Sequence, residues 1–319
     1  DYNPNLIIKK PNKEYWNKIL KNLSSPLINR SIQGLYSPGS TFKMIVALAG
    51  LEKGIININD SVVCKGNTEF GDRLYHCWKT WGHGKTNLIK AIQESCDIYF
   101  YELSKKIGID YIAKTAKKFG LGKISNLGFE NEKKGIIPSI KWKKETLKQS
   151  WFAGETLITG IGQGYALSTP LQLAIMTARI ASNGKEVEAS IFKQVVKKDF
   201  KQINIDTKNI KIIKKGMFNV VNAEKGTAFK SRSELFKYSG KTGTSQVKKI
   251  TLEERESEDF RKKKLEWKNN DHALFVGYMP SDKPKYAVSV VIEHGGSGAS
   301  IASPIAKNIF DYLYKINIT

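Results

Sequence analysis

Three short groupings of hydroxyl, amine and carboxylate residues follow one another along the chain: Ser40-Thr41-Phe42-Lys43, Ser95-Cys96-Asp97 and Lys241-Thr242-Gly243-Thr244. A serine hydroxyl attacks a carbonyl only when a base removes its proton. Lys43 stands three residues after Ser40, so on a helix both side chains share one face and the amine reaches the hydroxyl. That role needs a neutral amine, a form favoured by burial and by a second positive charge, here Lys241. Ser95 and Asp97 complete a proton and hydrogen-bond network on the opposite wall, while the negative charge of Asp97 favours protonated lysines. Lys241 with the hydroxyls of Thr242 and Thr244 can hold a substrate carboxylate, with Gly243 leaving the backbone open to a substrate chain. The chemistry is acyl transfer through a serine ester. Each grouping alone is weak, since Lys-rich chains contain such spacings by chance, as Ser104 beside Lys105 shows. Order and local context give them weight.

The elements needed to position these groups are legible. After the Pro38-Gly39 turn, Phe42, Ile45, Val46, Leu48 and Ala49 recur at helical spacing, and Gly54 ends the pattern, which predicts a buried helix over 41–53 with Ser40 at its start. Helical patterns at 88–93 and 98–107 are interrupted around Ser95–Asp97. A basic helix is expected over 111–119, and another begins at Pro170 behind a Thr169 cap and runs to about Ala181. Residues 237–246, 273–278 and 286–293 read as strands and 303–316 as an amphipathic helix. Residues 61–84, rich in Gly, Cys, His and aromatics without a period, read as a long structured loop. The charged segment 251–270 reads as an exposed insertion between strands. The class is α+β: an antiparallel sheet flanked by helices, with a largely helical block inserted.

Together the three groupings resemble the SxxK, SxN and KTG set of penicillin-binding proteins and serine β-lactamases. Asp97, in place of the more common Asn, resembles the class B penicillin-binding protein 2 group. So do Trp81-Gly82-His83-Gly84, Gly160–Gly164, Asp271-His272-Ala273-Leu274-Phe275 and Glu293-His294-Gly295-Gly296-Ser297-Gly298. The resemblance implies the penicillin-binding protein/serine β-lactamase-like fold, with a five-stranded antiparallel sheet and an all-helical subdomain over about 55–180. Residues 1–25 would be a linker or the end of a pedestal region, and 26–319 a transpeptidase domain. The implied activity is that of a peptidoglycan D,D-transpeptidase acting through Ser40, with Lys43, Ser95, Asp97 and Lys241 in catalysis and Thr242, Gly243 and Thr244 on the substrate. The backbone N–H groups of Ser40 and Thr244 would form the oxyanion hole. β-Lactams would acylate Ser40 and stay, because no dedicated deacylating base is legible. No cofactor is expected for catalysis. A polytopic glycosyltransferase of the elongation machinery is the implied partner. The domain would sit on the periplasmic face of the inner membrane, held by an N-terminal anchor outside this sequence. D,D-carboxypeptidases and β-lactamases share the three motifs, and a β-lactam sensor domain keeps the serine without peptide turnover.

Other residues offer weaker signals. Trp81 can wall the pocket or simply be the aromatic of its own loop. Glu155 can recognise a substrate amine or be a loop carboxylate. His272 and His294 flank strands and read first as satisfied surface groups.

Three cysteines, Cys64, Cys77 and Cys96, cannot all pair within the chain, and free thiols outside the cytoplasm are exposed to oxidation. With His83 they offer a Cys3His set, the ligand content of a closed structural zinc site. His76 is the rival nitrogen ligand, and a disulfide plus one thiol or three buried thiols are the alternatives. Resemblance adds that some penicillin-binding proteins of this group bind zinc at matching positions, with carboxylates in place of two of the cysteines.

Composition bounds the rest. The 319 residues are 40% hydrophobic and 26% charged, the balance of a folded chain. The longest apolar runs fall short of the roughly 18 residues of a bilayer span, and the first residues do not resemble a signal peptide. The formal charge of +22, from 52 Lys and Arg against 30 Asp and Glu, raises the question of nucleic acid. The lysines are scattered rather than striped and no nucleic-acid-binding motif accompanies them, so a solvated basic surface is the reading taken.

Overall fold

The apolar run after Ser40 forms the helix around which the molecule is built. In the computed structural model, which describes residues 2–8, 12–192, 199–248 and 266–316, Gly39–Phe42 wind as a 3-10 turn. This passes into the helix Lys43–Glu52, whose residues from Lys43 to Gly50 are all buried. The expected α-helical start at Ser40 is therefore shifted to Lys43. The tighter turn is fastened by Thr41, whose hydroxyl donates to the Pro38 carbonyl at 2.7 Å. Helices Asp97–Ile107 and Ile109–Lys118 pack on this central helix, and Ala153–Gly160 packs on Asp97–Ile107.

Residues 61–84, expected as a loop, contain strands. β1 (Ser61–Cys64) pairs antiparallel with β4 (Gly84–Asn87), and β2 (Asn67–Phe70) pairs with β3 (Arg73–His76). Each has only four residues and most side chains are exposed, so no alternating pattern is long enough to read. The missed signal was Gly71-Asp72, a two-residue hairpin connection with Gly71 at φ +57°.

The main sheet has the order β5-β6-β7, all antiparallel: β5 (Ser239–Ser245), β6 (His272–Met279) and β7 (Tyr286–Ile292). These match the three runs read from the sequence. β6 lies in the middle and is buried along nearly its whole length, which explains its continuous apolar run. Helix Thr207–Asn222 packs on β5, Pro170–Ala181 on β6 and β7, and Ser303–Ile316 on the same two strands. The implied five strands are three among the described residues. Residues 193–198 lie outside the described residues, and an isolated antiparallel bridge joins Lys185 to Gln202. The first 33 residues carry short helices instead, with Lys13–Leu20 capped by Asn12 and Arg30–Gln33 capped by Asn29. Of the insertion expected at 251–270, residues 251–265 fall outside the described residues.

Candidate active site

Two lysines converge on one serine, and a carboxylate holds one of the two. Lys43 is fully buried, and its Nζ donates to the Ser95 carbonyl at 2.9 Å, to Ser95 Oγ at 3.2 Å and to Asp97 Oδ1 at 2.7 Å. Lys241, equally buried, donates to Ser95 Oγ at 2.9 Å and to the Thr242 carbonyl at 3.1 Å. The sequence places these groups by three devices. Lys43 opens the central helix, Lys241 lies on β5, and Ser95 sits at φ +57° in the break between helices Leu88–Gln93 and Asp97–Ile107. A non-glycine residue held there stores about 1–3 kcal/mol of strain, offset here by the hydrogen bonds its hydroxyl and carbonyl make. Asp97 is the first residue of its helix, where the macrodipole favours a carboxylate. Its second oxygen accepts the Trp78 N–H at 2.9 Å. Burial and the Lys43 charge push Lys241 well below the usual lysine range, against the opposing pull of Asp97.

Ser40 lies at the mouth of this buried group, in a cleft of about 1130 Å³ shared with Ser95, Asp97, Trp78, Thr242 and Thr244. Among the described residues no hydrogen bond joins Ser40 Oγ to Lys43, whose donors are committed to Ser95 and Asp97. Ser40 is instead placed through backbone. The Gly39 N–H donates to the Gly162 carbonyl at 2.9 Å, and a Cβ on Gly162, at φ +75°, would stand 2.1 Å from the Gly39 carbonyl oxygen. Only glycine allows that approach. Across the cleft, β5 is an edge strand of the sheet among the described residues. A Cβ on Gly39 would stand 2.6 Å from the Thr244 carbonyl oxygen, so the nucleophile turn lies close against the backbone of β5. The Thr242 hydroxyl is held by Thr227, Oγ1 to Oγ1 at 2.7 Å, a residue the sequence did not mark.

Behind the Ser95–Asp97 wall, Cys64, Cys77, His83 and Cys96 are all buried, with their ligand atoms within 4.8 Å of one another. His83 Nδ1 is 3.5 Å from the sulfurs of both Cys64 and Cys77, close to the roughly 3.6 Å edge of a tetrahedral zinc site with one nitrogen and three sulfurs. His83 Nε2 is buried without a partner, which leaves Nδ1 as the nitrogen aimed inward. His76 stands outside the group, and the three cysteines are unbridged. The Cys96 thiol bonded to Cys77 and the nearby His83 hold Cys77 far below the usual thiol range, despite burial. The residues fit a tetrahedral metal. The β1–β4 pair and a tight Lys79–Gly82 turn bring them together.

That turn also corrects one expectation. Trp81 is 92% exposed and stands off the cleft, because closing the chain between Cys77 and His83 turns it outward. Trp78 takes the place expected of it. Glu155 does line the cleft, yet its carboxylate is engaged: Oε1 accepts from Lys143 Nζ at 2.5 Å and from the Tyr165 hydroxyl at 3.3 Å, and Oε2 accepts the Phe152 N–H at 2.9 Å. Lys143 is itself buried. His272, at the start of β6, and His294 meet edge to face beside Tyr36 and Trp267.

The profile of the penicillin-binding protein transpeptidase domain matches residues 1–311. The peptidoglycan D,D-transpeptidase MrdA of Acinetobacter baumannii is 36% identical over 323 residues, which cover 98% of this chain and 47% of that protein; the chain thus spans about half the length of the curated relatives it matches. A crystal structure of Pseudomonas aeruginosa PBP2 in complex with WCK 5153 superimposes with a TM-score of 0.86 at 36% identity, over 98% of this chain and 69% of that one. A chain from a study of the coordination of polymerization and crosslinking by a peptidoglycan synthase complex gives 0.81 at 30% identity, over 96% and 51%. The matched residues include the nucleophile turn, the Ser95 wall and β5, and the chain belongs to the penicillin-binding protein transpeptidase-domain family.

Proposed function

We propose that this chain is the cross-linking module of a peptidoglycan D,D-transpeptidase, inhibited by β-lactams, with residues 26–319 as the catalytic unit and the helical block over about 55–180 as one wall. The observation that carries this reading is the buried Lys43–Ser95–Lys241 relay opening onto Ser40 in a peptide-sized cleft. The amine of Lys241 and the hydroxyls of Thr242 and Thr244 offer donors to the terminal carboxylate of a D-Ala-D-Ala peptide.

In the proposed reaction Ser40 Oγ bonds to the penultimate D-Ala carbonyl carbon and its proton passes to the amine of Lys43. The oxyanion rests on the Ser40 and Thr244 N–H groups. Ser95 relays the proton to the departing D-Ala nitrogen as the C–N bond breaks. An amine of a second stem peptide then attacks the ester, gives its proton back along the relay and releases Ser40. Asp97 holds Lys43 in place, and Lys241 supplies charge to Ser95 and the substrate carboxylate. The partners proposed are stem peptides, β-lactams and a polytopic glycosyltransferase of the elongation complex, at the periplasmic face of an inner membrane.

Mass spectrometry after benzylpenicillin treatment tests the site: a long-lived adduct on the wild type and none on Ser40→Ala is expected, and an adduct on the variant overturns the assignment. Rapid release of hydrolysed drug would identify a β-lactamase. Release of D-Ala without transfer would identify a carboxypeptidase, and acylation by drug without any peptide turnover a sensor.

Cys64, Cys77, His83 and Cys96 are proposed to hold a structural zinc, which supplies cross-linking of the chain rather than chemistry on substrate. Cys77 precedes Trp78, whose N–H fixes Asp97, and the Asp97 N–H itself donates to Cys77 Sγ at 3.4 Å. Protein purified without chelators should contain one zinc per chain and lose thermal stability when it is stripped. Metal-free protein with unchanged melting would refute the site.

A further inference from the structure

The free edge of β5 carries an occupant of its own. Gln163, between Gly162 and Gly164, donates from Nε2 to the Thr244 carbonyl at 3.1 Å. In an antiparallel pair the N–H and C=O of one residue bond the C=O and N–H of a single residue opposite. If the Thr244 N–H receives the oxygen of the scissile carbonyl, the Thr244 carbonyl must receive the N–H of that same substrate residue, as in strand addition to a sheet edge. Gln163 therefore sits on the acceptor the acyl donor requires. Its backbone is pinned: the Gln163 N–H donates to the Ile158 carbonyl at 3.1 Å, the Gly162 N–H to Thr159 at 2.8 Å, and the Gly162 carbonyl accepts from Gly39. The carboxamide, on a half-buried side chain facing the cleft, is the part left to move.

We propose that Gln163 is a positioning and specificity-determining residue that guards the Thr244 carbonyl and yields it only to an acyl donor whose own amide N–H takes its place. The guard satisfies an edge carbonyl beside the nucleophile in the empty site. It sets a threshold that discriminates donors with an N–H one residue before the scissile bond from acylating agents that lack it. The inference rests on the acyl-transfer reading of Ser40.

Two β-lactams separate the outcomes. Benzylpenicillin carries an acylamino N–H next to its lactam carbonyl; a carbapenem such as imipenem carries a hydroxyethyl group and no such N–H. Gln163→Ala is expected to raise the second-order acylation rate with benzylpenicillin by about three- to tenfold, the range of one displaced hydrogen bond. The imipenem rate should stay within about twofold. Gln163→Glu, which keeps the length but cannot donate to a carbonyl, should behave as the Ala variant does and guards against misfolding of either one. Rates that rise or fall together for both drugs, or no change with benzylpenicillin, overturn the role of Gln163 while leaving Ser40 acylation intact. Absence of any adduct on the wild type would remove the reading beneath it as well.

Discussion

Replacing Glu155 by Gln should destabilise the protein more than a cleft-lining carboxylate ordinarily would. Lys143 is 1% exposed in its side chain and ion-paired to Glu155 at 2.5 Å, within rings of Trp151, Phe152 and Tyr165 whose centroids lie 5.9, 4.7 and 5.7 Å from its nitrogen. Removing one partner of a buried pair costs about 3–5 kcal/mol. The aromatic rings still face the ammonium and return up to about 2 kcal/mol. A Gln amide also cannot accept from both Lys143 and the Phe152 N–H. The expected loss is about 2–3 kcal/mol. For 319 residues, unfolding entropy per residue puts 1 kcal/mol at about 1.5 °C of Tm, so Tm should fall by about 3–5 °C. Adding Lys143→Met removes the stranded charge and should recover most of the loss. Urea melts of the wild type, both single variants and the double variant form the cycle. A Glu155→Gln variant as stable as the wild type, or a double variant no more stable than it, would refute the buried-pair account. Transfer to an amine acceptor, measured on the double variant, decides the other reading of Glu155: a stable protein that acylates normally but fails to transfer would restore it as the amine-recognising carboxylate.

Gly162→Ala should leave a folded protein with acylation of Ser40 slowed severalfold, since the new Cβ must displace the Gly39 carbonyl; a wild-type rate would show that the nucleophile turn does not depend on that crossing. Glu293 gives a pH signature. Burial pushes its carboxyl up, but the Tyr36 hydroxyl at 2.8 Å and the Arg30 guanidinium at 2.9 Å outweigh burial and hold it below the usual range. A depressed carboxyl contributes stability that is fully present above the unfolded value near about 4.3 and fades as pH falls through the lower folded value. The stability gap between the wild type and Glu293→Gln should therefore be constant above about pH 5 and shrink in acid; a gap that persists unchanged to about pH 3 contradicts the linkage.

The chemistry was more legible than the architecture around it. Ser40, Lys43, Ser95, Asp97 and Lys241 are recognisable because proton transfer demands those types at those spacings, and their flanking helices and strand have long apolar periods. Cys64, Cys77, His83 and Cys96 were readable as a ligand set from residue type alone, although the strands that bring them together are too short to leave a pattern. Trp81 stands outside the cleft and Trp78 lines it; sequence shows an aromatic in a turn without showing which way the turn faces. Glu155 misled for a related reason: its partner Lys143 lies twelve residues away on another helix, and nothing local marks that lysine as buried among rings. Gln163 and Thr227 act through backbone and hydroxyl contacts to β5, more than ten residues distant in each case, and such contacts belong to the folded chain only.

The crossing of Gly39 and Gly162 also bears on which positions around the cleft can vary. Where two backbones touch without intervening side chains, an added atom moves the nucleophile turn itself rather than a side chain beside it. Fine adjustment of the cleft is thereby left to positions with a side chain to exchange. The adjustable surface is the rim of the cleft, around a centre set by contact between backbones.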